Sequence, residues 1–442
     1  MRRFKRVLVW AAACLTVASL CAADTIWDYE AVNEYGLGSH PLVGADPIPA
    51  NRVTIEGVAL AGMNDLWDAD SPTSGQYVMF VQDDTSKRGG IEIWSGCWWF
   101  DNWRPAQYVP FVAGDRVRVN GLLGNHAGKV FINDRHTDDP NVIFSVEVIG
   151  HPGMPDPELI PSVANCNYFD MTRADGGERY QTRWTMLHGV QIVGGTWANK
   201  STLTIADETG SVAMYLPPMA NVAANPQPTG KLNLVGIFDQ EDPGSGNPPV
   251  YRSNYRIIIK SYNDIAAALD ACRQVRDRGD GDRVALVNKV VSRTYDGYFY
   301  VQDADRSGGV RIISDRVVAP GDVLSVQGVV CTVNGEKAIT PSYITMSGNA
   351  PRPVYVNSAA LHGQTGLDVF GLLVRTTGVM GASIGGGVHA FTDDAGQTIE
   401  LVANGIAVPA QGTRVSVTAV ASGNSTMPKL LLSKASDIAP MP

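Results

Sequence analysis

Apolar and polar residues alternate along short stretches of this chain, and one eight-residue pattern of this kind occurs three times. Segments 114–121, 321–328 and, more loosely, 412–419 each place a glycine turn before apolar residues at every second position. Alternation with a period of two is typical of a β-strand that has one buried face. The repetition therefore predicts several similar β modules within the chain.

Longer matches arrange these modules as two related pairs. Segment 77–83 resembles segment 297–303, and each is followed by a polar turn that ends in Gly-Gly and then by a second strand pattern. Segment 203–210 resembles segment 389–396 in the same manner. The order of these matches along the chain predicts a duplicated unit of two modules, with about five strands in each module.

The phrases that repeat also carry a family resemblance. "YVQD…GG" followed by Ile or Val, "GDxVxVxG" and a terminal "S…DI" resemble the OB-fold modules of exported bacterial proteins, including those that accompany extracellular nucleases. The OB-fold is a small five-stranded Greek-key barrel. The resemblance implies an all-β chain of four tandem OB-fold-like barrels in two related pairs, of the type that binds nucleic acid.

One short helix is predicted between the two halves of the chain. Ile265, Leu269, Cys272 and Val275 form an apolar stripe at helical spacing, and Asp264 can cap it. The predicted order is a signal peptide (1–23), an N-terminal extension (24–50), module 1 with a tryptophan-rich insertion (51–150), module 2 (157–265), a helix and linker (266–282), module 3 (283–349) and module 4 (352–442).

The first 23 residues have the pattern of a secretory signal peptide. A basic start is followed by an apolar run over residues 7–20 and by small residues before Asp24, and the run is too short to span a bilayer. We therefore expect a secreted or periplasmic protein. A lipoprotein anchored through Cys21 is the alternative, although Leu20 fits poorly before a lipidated cysteine. No later stretch is apolar enough to cross a membrane.

Charge and cysteine content restrict the function further. Removal of residues 1–23 leaves 31 basic against 44 acidic residues, a net charge of −13. Such a surface disfavours nucleic-acid binding by charge alone, but it is compatible with a local basic groove. Cys97, Cys166, Cys272 and Cys331 remain, which permits two disulfides in three alternative pairings, and we expect some disulfide bonding in an oxidising compartment.

Strand parity predicts which side chains face away from the barrel cores. Met79 and Val81 share one parity with Phe299 and Val301, and we assign these four residues to the cores. The opposite parity makes the following residues candidates for ligand binding: Phe80, Gln82, Trp94, Tyr298, Tyr300, Gln302 and Arg311. Outward aromatic side chains can stack on bases or sugars, or neighbouring modules can bury them.

A 12-residue excess in module 1, relative to module 3, lies between positions 93 and 114 and is rich in tryptophan. Its candidate binding residues are Trp98, Trp99, Trp103 and Arg104, all close to Trp94. Aromatic surface on a loop is useful for stacking. The segment is therefore predicted to be either a binding platform or a lid that closes one end of the barrel.

No catalytic constellation, cofactor motif or metal motif is found in the sequence. We therefore expect a non-catalytic binding or scaffolding protein whose ligand is single-stranded nucleic acid, a glycan or another protein. Its oligomeric state is left open. The alternative is an accessory or catalytic part of an extracellular nuclease or hydrolase system, which requires acidic residues from different turns to converge on a metal.

Overall fold

The computed structural model describes residues 24–45, 51–62, 65–66, 76–85, 87–96, 111–133, 144–349, 356–357, 361, 368–424 and 426–441. Module 1 contains β1 (Arg52–Ala59), β2 (Gln76–Gln82), β3 (Gly90–Gly96), β4 (Arg116–His126), β5 (Lys129–Asn133) and β6 (Ser145–Gly150). Module 2 contains β7 (Glu158–Ile160), β8 (Arg183–Gly194), β9 (Ser201–Asp207), β10 (Gly210–Leu216), β11 (Leu232–Gln240) and β12 (Tyr255–Ile258), and β13 (Ile265–Ala268) follows it.

The second half of the chain repeats this series. Module 3 contains β14 (Arg283–Tyr295), β15 (Tyr298–Gln302), β16 (Gly309–Ile312), β17 (Asp322–Val333) and β18 (Glu336–Asn349). Module 4 contains β19 (Val356–Asn357), β20 (Leu373–Gly385), β21 (Val388–Asp393), β22 (Thr398–Val402), β23 (Arg414–Asn424), β24 (Met427–Leu431) and β25 (Ile438–Pro440).

All four modules close a five-stranded ring with one strand order. In module 1 the order is β1-β2-β3-β5-β4, and β4 pairs back onto β1. The pair β3–β5 is parallel and the other pairs are antiparallel. Modules 2, 3 and 4 repeat this order, with parallel pairs β10–β12, β16–β18 and β22–β24. This is the five-stranded Greek-key barrel of the OB-fold, and the predicted fold class is confirmed.

Modules 2 and 3 share a single sheet through β13. Ala267 pairs antiparallel with Leu232 of β11 and, on its other side, parallel with Val284 of β14. The strand β13 is therefore the last strand that pairs with module 2 and the first that pairs with module 3. Short strands β7 and β19 run parallel to β8 and β20 in the corresponding places of modules 2 and 4.

Each barrel has its own apolar core, and the predicted parity holds there. Met79 and Val81 lie in the core of module 1, and Phe299 and Val301 lie in that of module 3. Burial of alternate apolar side chains against the opposite wall of the barrel is the main stabilising contribution to such small modules.

Helices are short and lie at the ends of the barrels. In the part of the chain that the structure describes, they include α1 (Ile26–Tyr29), α2 (Gly177–Tyr180) and the 3-10 helices Val163–Asn165, Val222–Ala224, Tyr262–Asp264, Cys272–Asp277 and Ala435–Asp437. Within the described residues, no helix is long and apolar enough to span a bilayer.

The linking helix differs in extent from the sequence prediction. It is the six-residue 3-10 helix Cys272–Asp277, whereas Ile265 lies in β13. The backbone around Ile265 forms ladder hydrogen bonds with β11 and β14 on both sides, and these replace the intrahelical bonds that the apolar stripe suggested. Sheet pairing between two modules therefore overrides the helical spacing.

The expected disulfides are not formed by the cysteines that the structure describes. Cys166, Cys272 and Cys331 are free thiols. Cys166 belongs to the core of module 2 and Cys272 to that of module 3, so each packs as a small apolar side chain in a different barrel. Cys97 lies outside the described residues.

Candidate functional site

The outward-facing candidates are mostly buried, because modules pack in pairs on this side of the barrels. Phe80 and Tyr300 are 1% and 0% exposed, and Arg311 is 7% exposed. Phe80 packs in an apolar cluster with residues of module 2, and Tyr300 packs in a corresponding cluster with residues of module 4. They face away from their own cores as predicted, but they are not open surfaces on which a ligand could stack.

Gln82 and Gln302 are also buried, and each joins two modules. The side-chain oxygen of Gln82 accepts a hydrogen bond from the backbone N–H of Trp184 at 2.9 Å. The side-chain oxygen of Gln302 accepts one from the backbone N–H of Leu373 at 3.4 Å. Both glutamines therefore have a structural role between paired modules.

Trp94 and Tyr298 remain half-buried at the rims of these interfaces. The ring of Tyr298 stacks on that of Tyr295, with centroids 4.8 Å apart. Trp98, Trp99, Trp103 and Arg104 lie outside the described residues, so the platform and lid alternatives for the insertion both stay predictions.

A buried ion-pair network joins modules 1 and 2. Lys129 is 2% exposed, and its Nζ lies 2.5 Å from Glu92, 2.9 Å from Asp239 and 3.3 Å from Glu241. Arg256 completes the network with a 2.7 Å contact to Asp239. Burial opposes the charged form of Lys129, but Asp239 and Glu92 hold the pKa of this ammonium above its ordinary value.

The corresponding network between modules 3 and 4 has the reverse polarity. Arg311 lies 3.0 Å from Glu336, and the hydroxyl of Tyr300 donates to Glu336 at 2.8 Å. Ser422 also donates to Glu336, at 2.6 Å. In this interface the third strand carries the cation and the fifth strand carries the carboxylate.

Strand register shows that the two interfaces are equivalent position by position. Glu92 pairs with Phe131, two residues after Lys129, and Arg311 pairs with Ala338, two residues after Glu336. On the partner modules, the ladder Trp184–Ile237–Ile258 corresponds to Leu373–Val420–Leu431. The same registers make Asp239 the counterpart of Ser422 and Arg256 the counterpart of Lys429. The duplication is thus preserved in the packing of the modules as well as in each barrel.

An open groove runs along the module 1–2 interface, beside the ion-pair network. Its cavity of about 190 Å³ is lined by Trp94, Glu92 and His126 from module 1 and by Tyr215 and Arg256 from module 2. We call it the module 1–2 groove. Its lining combines aromatic faces with charged groups that already have partners.

A larger cavity of about 700 Å³ adjoins this groove on module 1 and shares Glu92, Trp94 and His126 with it. We call it the module 1 cavity. The ring of Phe131 lies in its wall, 6.2 Å from that of His126 in an edge-to-face arrangement. A Cβ added to Gly124 would lie 3.0 Å from the Phe131 ring, so the glycine allows this ring to lie close to β4.

The N-terminal extension forms the opposite wall of the module 1 cavity. The backbone N–H of Gly38 donates to Oδ1 of Asn125 at 2.8 Å, and the N–H of Gly44 donates to the carbonyl of Leu123 at 3.1 Å. Leu37 and Val43 supply apolar lining. Sequence reasoning missed this wall, since residues 33–45 have no strand periodicity.

Sequence reasoning also missed the β4–β5 hairpin, which supplies the residues Asn125, His126, Phe131 and Asn133 to the cavity. Gly128 was the available signal in the sequence, because a glycine with positive φ allows a tight turn between two strands. Such a turn places the flanking side chains at the barrel rim. The strand pattern at 114–121 was predicted, but parity was applied to the second and third strands alone.

The equivalent position between modules 3 and 4 holds a cavity of about 540 Å³, lined among others by Tyr298, Arg311, Val402 and Lys429. We call it the module 3–4 groove. Arg311 lies over the Tyr298 ring at 4.6 Å from its centroid, so the cation is held against an aromatic face.

Candidate metal ligands do not assemble in the described residues, where no group of three or more His, Cys, Asp or Glu side chains could hold an ion. The acidic turn after β15 of module 3 has a structural role. Asp303 accepts a hydrogen bond from the N–H of Cys272 at 3.0 Å and contacts Lys289 at 2.7 Å. Its carboxylate fixes the 3-10 helix against the barrel end.

Comparisons with known proteins give structural neighbours only. No family model matches the chain, and no curated protein matches it. The solved E. coli hypothetical protein ygiW is 22% identical, with 19% of this chain and 89% of that chain covered and a TM-score of 0.16. The p204 HINb domain is 14% identical, with 47% and 90% covered and a TM-score of 0.20.

A multidomain protein from Streptococcus pneumoniae, described as having nucleic acid binding domains, is 9% identical, with 57% of this chain and 73% of that chain covered and a TM-score of 0.13. These scores are too low to carry an argument about function. The assignment of the OB-fold therefore rests on the strand order of the four barrels.

Proposed function

We propose that this chain is an exported, non-catalytic binding protein, and that the module 1 cavity and the adjoining groove hold a segment of an oligosaccharide. The observation that carries the proposal is the lining of the cavity, where the rings of Trp94, His126 and Phe131 lie beside the amides of Asn125 and Asn133. Aromatic faces stack on sugar rings, and amides both donate to and accept from hydroxyl groups.

The size of the cavity supports a small extended ligand. Its volume of about 700 Å³ lies within the range of about 300–1,000 Å³ that is usual for small-molecule sites. The groove between modules 1 and 2 continues it past Trp94, so a chain of more than one ring can pass from one to the other.

The electrostatics of this site favour a neutral ligand over a polyanion. Lys129 is buried and paired with carboxylates, and Arg256 is paired with Asp239 and Glu241. The Glu241 side chain is 45% exposed at the groove, where it would repel a phosphate. The net charge of −13 expected after export acts in the same direction.

Binding is tested on the chain from residue 24 onward with a glycan array, followed by calorimetry on the glycans that bind. Trp94→Ala and Phe131→Ala should each weaken binding at least tenfold, because each removes a stacking face. Tyr298→Ala, a half-buried aromatic of the module 3–4 groove, is the matched control and should leave the affinity unchanged.

A single-stranded oligonucleotide is titrated in parallel at low and moderate salt. If the oligonucleotide binds with a steep salt dependence and no glycan binds, the ligand is nucleic acid and not an oligosaccharide. Unchanged glycan affinity in both Trp94→Ala and Phe131→Ala would show that the glycan does not bind at this site.

Export is part of the same proposal and has its own test. It rests on the basic start and short apolar run of residues 1–23, which lie outside the described part of the structure. N-terminal sequencing of the protein recovered from the medium or the periplasm should begin at Asp24. Recovery of full-length protein in the cytoplasm would contradict it.

A further inference from the structure

Modules 1, 2 and 3 line another cavity, which shares no lining residue with the proposed sugar site. Its volume is about 680 Å³, and its lining includes five basic side chains, those of Lys87, Arg88, Arg179, Arg183 and Arg316. We call it the cationic cleft. Arg88 comes from the β2–β3 turn of module 1, Arg179 and Arg183 from α2 and β8 of module 2, and Arg316 from the β16–β17 connection of module 3.

The cationic cleft concentrates positive charge in an acidic protein. Its lining has five basic and two acidic side chains, whereas the whole chain has a formal net charge of −9. Like charges gathered this closely repel one another across a partly desolvated cavity. Such an arrangement is stabilised when an anion enters it.

The two carboxylates are already engaged by arginines. Asp156 binds Arg316 through both oxygens, at 2.7 and 2.5 Å, and its backbone carbonyl accepts from Arg88 at 3.1 Å. Glu158 contacts Arg179 at 2.9 Å and also contacts Arg183. The two carboxylates thus engage three guanidinium groups, and the fourth, that of Arg88, is bound by a backbone carbonyl. Lys87 adds a fifth cation at the exposed rim.

Arg183 shows that the hydrogen-bonding capacity of the cleft is incompletely used. Its side chain is 4% exposed, and Nη1 donates to the carbonyl of Arg179 at 2.8 Å. Its buried Nε has no hydrogen-bond partner within the described structure. Burial, together with the nearby Arg179 and Arg88, lowers the pKa of this guanidinium, although Glu158 acts in the opposite direction. A buried donor without an acceptor is costly unless a ligand supplies one.

The shape of the cleft indicates more than a bare ion. A volume of about 680 Å³ exceeds what one tetrahedral oxyanion fills, and Leu159 and Met346 provide apolar lining beside the cations. Planar guanidinium groups from several directions match the oxygens of a phosphate or sulfate group.

We propose that the cationic cleft binds a phosphate or sulfate group carried as an ester on a small organic molecule. Arg88, Arg179 and Arg183 hold the oxyanion, Lys87 attracts it at the rim, and the apolar lining receives the organic part. This site is separate from the sugar site, and neither proposal depends on the other.

The experiment is calorimetry of the chain from residue 24 onward with four probes at constant ionic strength: glucose 6-phosphate, inorganic phosphate, inorganic sulfate and glucose. Glucose 6-phosphate should bind more tightly than inorganic phosphate, and glucose should not bind at the cleft. Equal affinities for the ester and the free ion would overturn the assignment of an ester and leave a free-ion site.

Lys87→Gln and Arg179→Gln should each weaken glucose 6-phosphate binding at least fivefold, and the two together more than either alone. Both residues are partly or fully exposed, so these variants keep the fold intact. Arg375→Gln, an exposed arginine of module 4, is the matched control and should change nothing. Affinity unchanged in both cleft variants, or no binding of any anion at millimolar concentration, would overturn the proposal.

Discussion

Glu92 of module 1 and Arg311 of module 3 occupy the same position in their barrels but carry opposite charges. Each contacts the residue at one equivalent position on the fifth strand, Lys129 for Glu92 and Glu336 for Arg311. Both members of the pair are therefore reversed between the two copies of the duplicated unit. Complementary charges thus occupy these positions in both modules, with opposite polarity.

Replacement of Lys129 by methionine should destabilise the protein by about 3–5 kcal/mol. The change leaves the buried carboxylates of Glu92 and Asp239 without their shared cation, and breaking a buried pair from one side has about this cost. Chemical denaturation measures the free energy of unfolding. Lys337→Met is the control, because Lys337 pairs with Asp280, which is 56% exposed, and loss of this pair should destabilise the protein far less. Similar losses in the two variants would contradict the role given to the buried network.

The polarity of module 3 can be transplanted into module 1. The double change Glu92→Arg and Lys129→Glu should remain destabilised, because the new carboxylate at position 129 faces Asp239. Adding Asp239→Ser should recover about 0.5 to 3 kcal/mol, since Ser422 stands at the equivalent position beside Glu336. The denaturant midpoints of the double and triple variants measure this difference in stability. A triple variant no more stable than the double would show that the two interfaces are not interchangeable.

Gly90→Ala should weaken the contact between modules 1 and 2. A Cβ at this position would lie 2.1 Å from the carbonyl oxygen of Thr182, and Gly309 has the same relation to Gly371 between modules 3 and 4, at 2.2 Å. Because backbone meets backbone, the overlap should cost about 1–3 kcal/mol and lower the melting temperature. Gly194→Ala meets its nearest atom at 3.6 Å and should change stability by less than about 0.5 kcal/mol. A tolerated alanine at position 90 would mean that the modules can move apart freely.

Glu178→Gln should flatten the dependence of stability on pH. Burial raises the pKa of Glu178 from 4.5 to about 7, despite the hydroxyl of Tyr255 that donates to it at 2.7 Å. Between these two values the folded chain binds more protons than the unfolded chain, so stability falls as pH rises. The loss in the free energy of unfolding is about 1.4 kcal/mol per pH unit for one proton. It is absent below pH 4.5 and complete above pH 7.

The comparison is made by urea denaturation at pH 4.5, 6 and 8. Glu178→Gln should become more stable than the natural protein as pH rises, whereas Glu208→Gln, an exposed change in the same module, should follow the natural protein. Parallel curves for all three proteins would show that Glu178 titrates normally.

Alternation of apolar residues was sufficient to predict the barrels and the inward-facing residues, because a period of two fixes which face of a strand is buried. It could not identify what covers the other face. Phe80 and Tyr300 are aromatic and point away from their cores, but the duplicated partner module buries both. Nothing in one strand's own pattern distinguishes an aromatic side chain that awaits a ligand from one that packs against a neighbouring domain.

The candidate sites were the least predictable part of the chain, because each is assembled from residues that are distant in sequence. The module 1 cavity combines residues 37–44 with the β4–β5 hairpin, and the cationic cleft combines Arg88, Arg179 and Arg316. Parity acts within one strand, whereas these contacts depend on how three modules pack. The linking segment shows the same limit, since Ile265 fits a helical stripe and yet pairs in β13.

The strand β13 has a consequence for how the chain can be divided. The duplication boundary falls between modules 2 and 3, but β13 donates its ladder bonds to β11 on one side and β14 on the other. A cut on either side of this strand would strip an edge from one barrel. The boundary between the two repeated halves of the sequence is therefore not a boundary between two separate sheets.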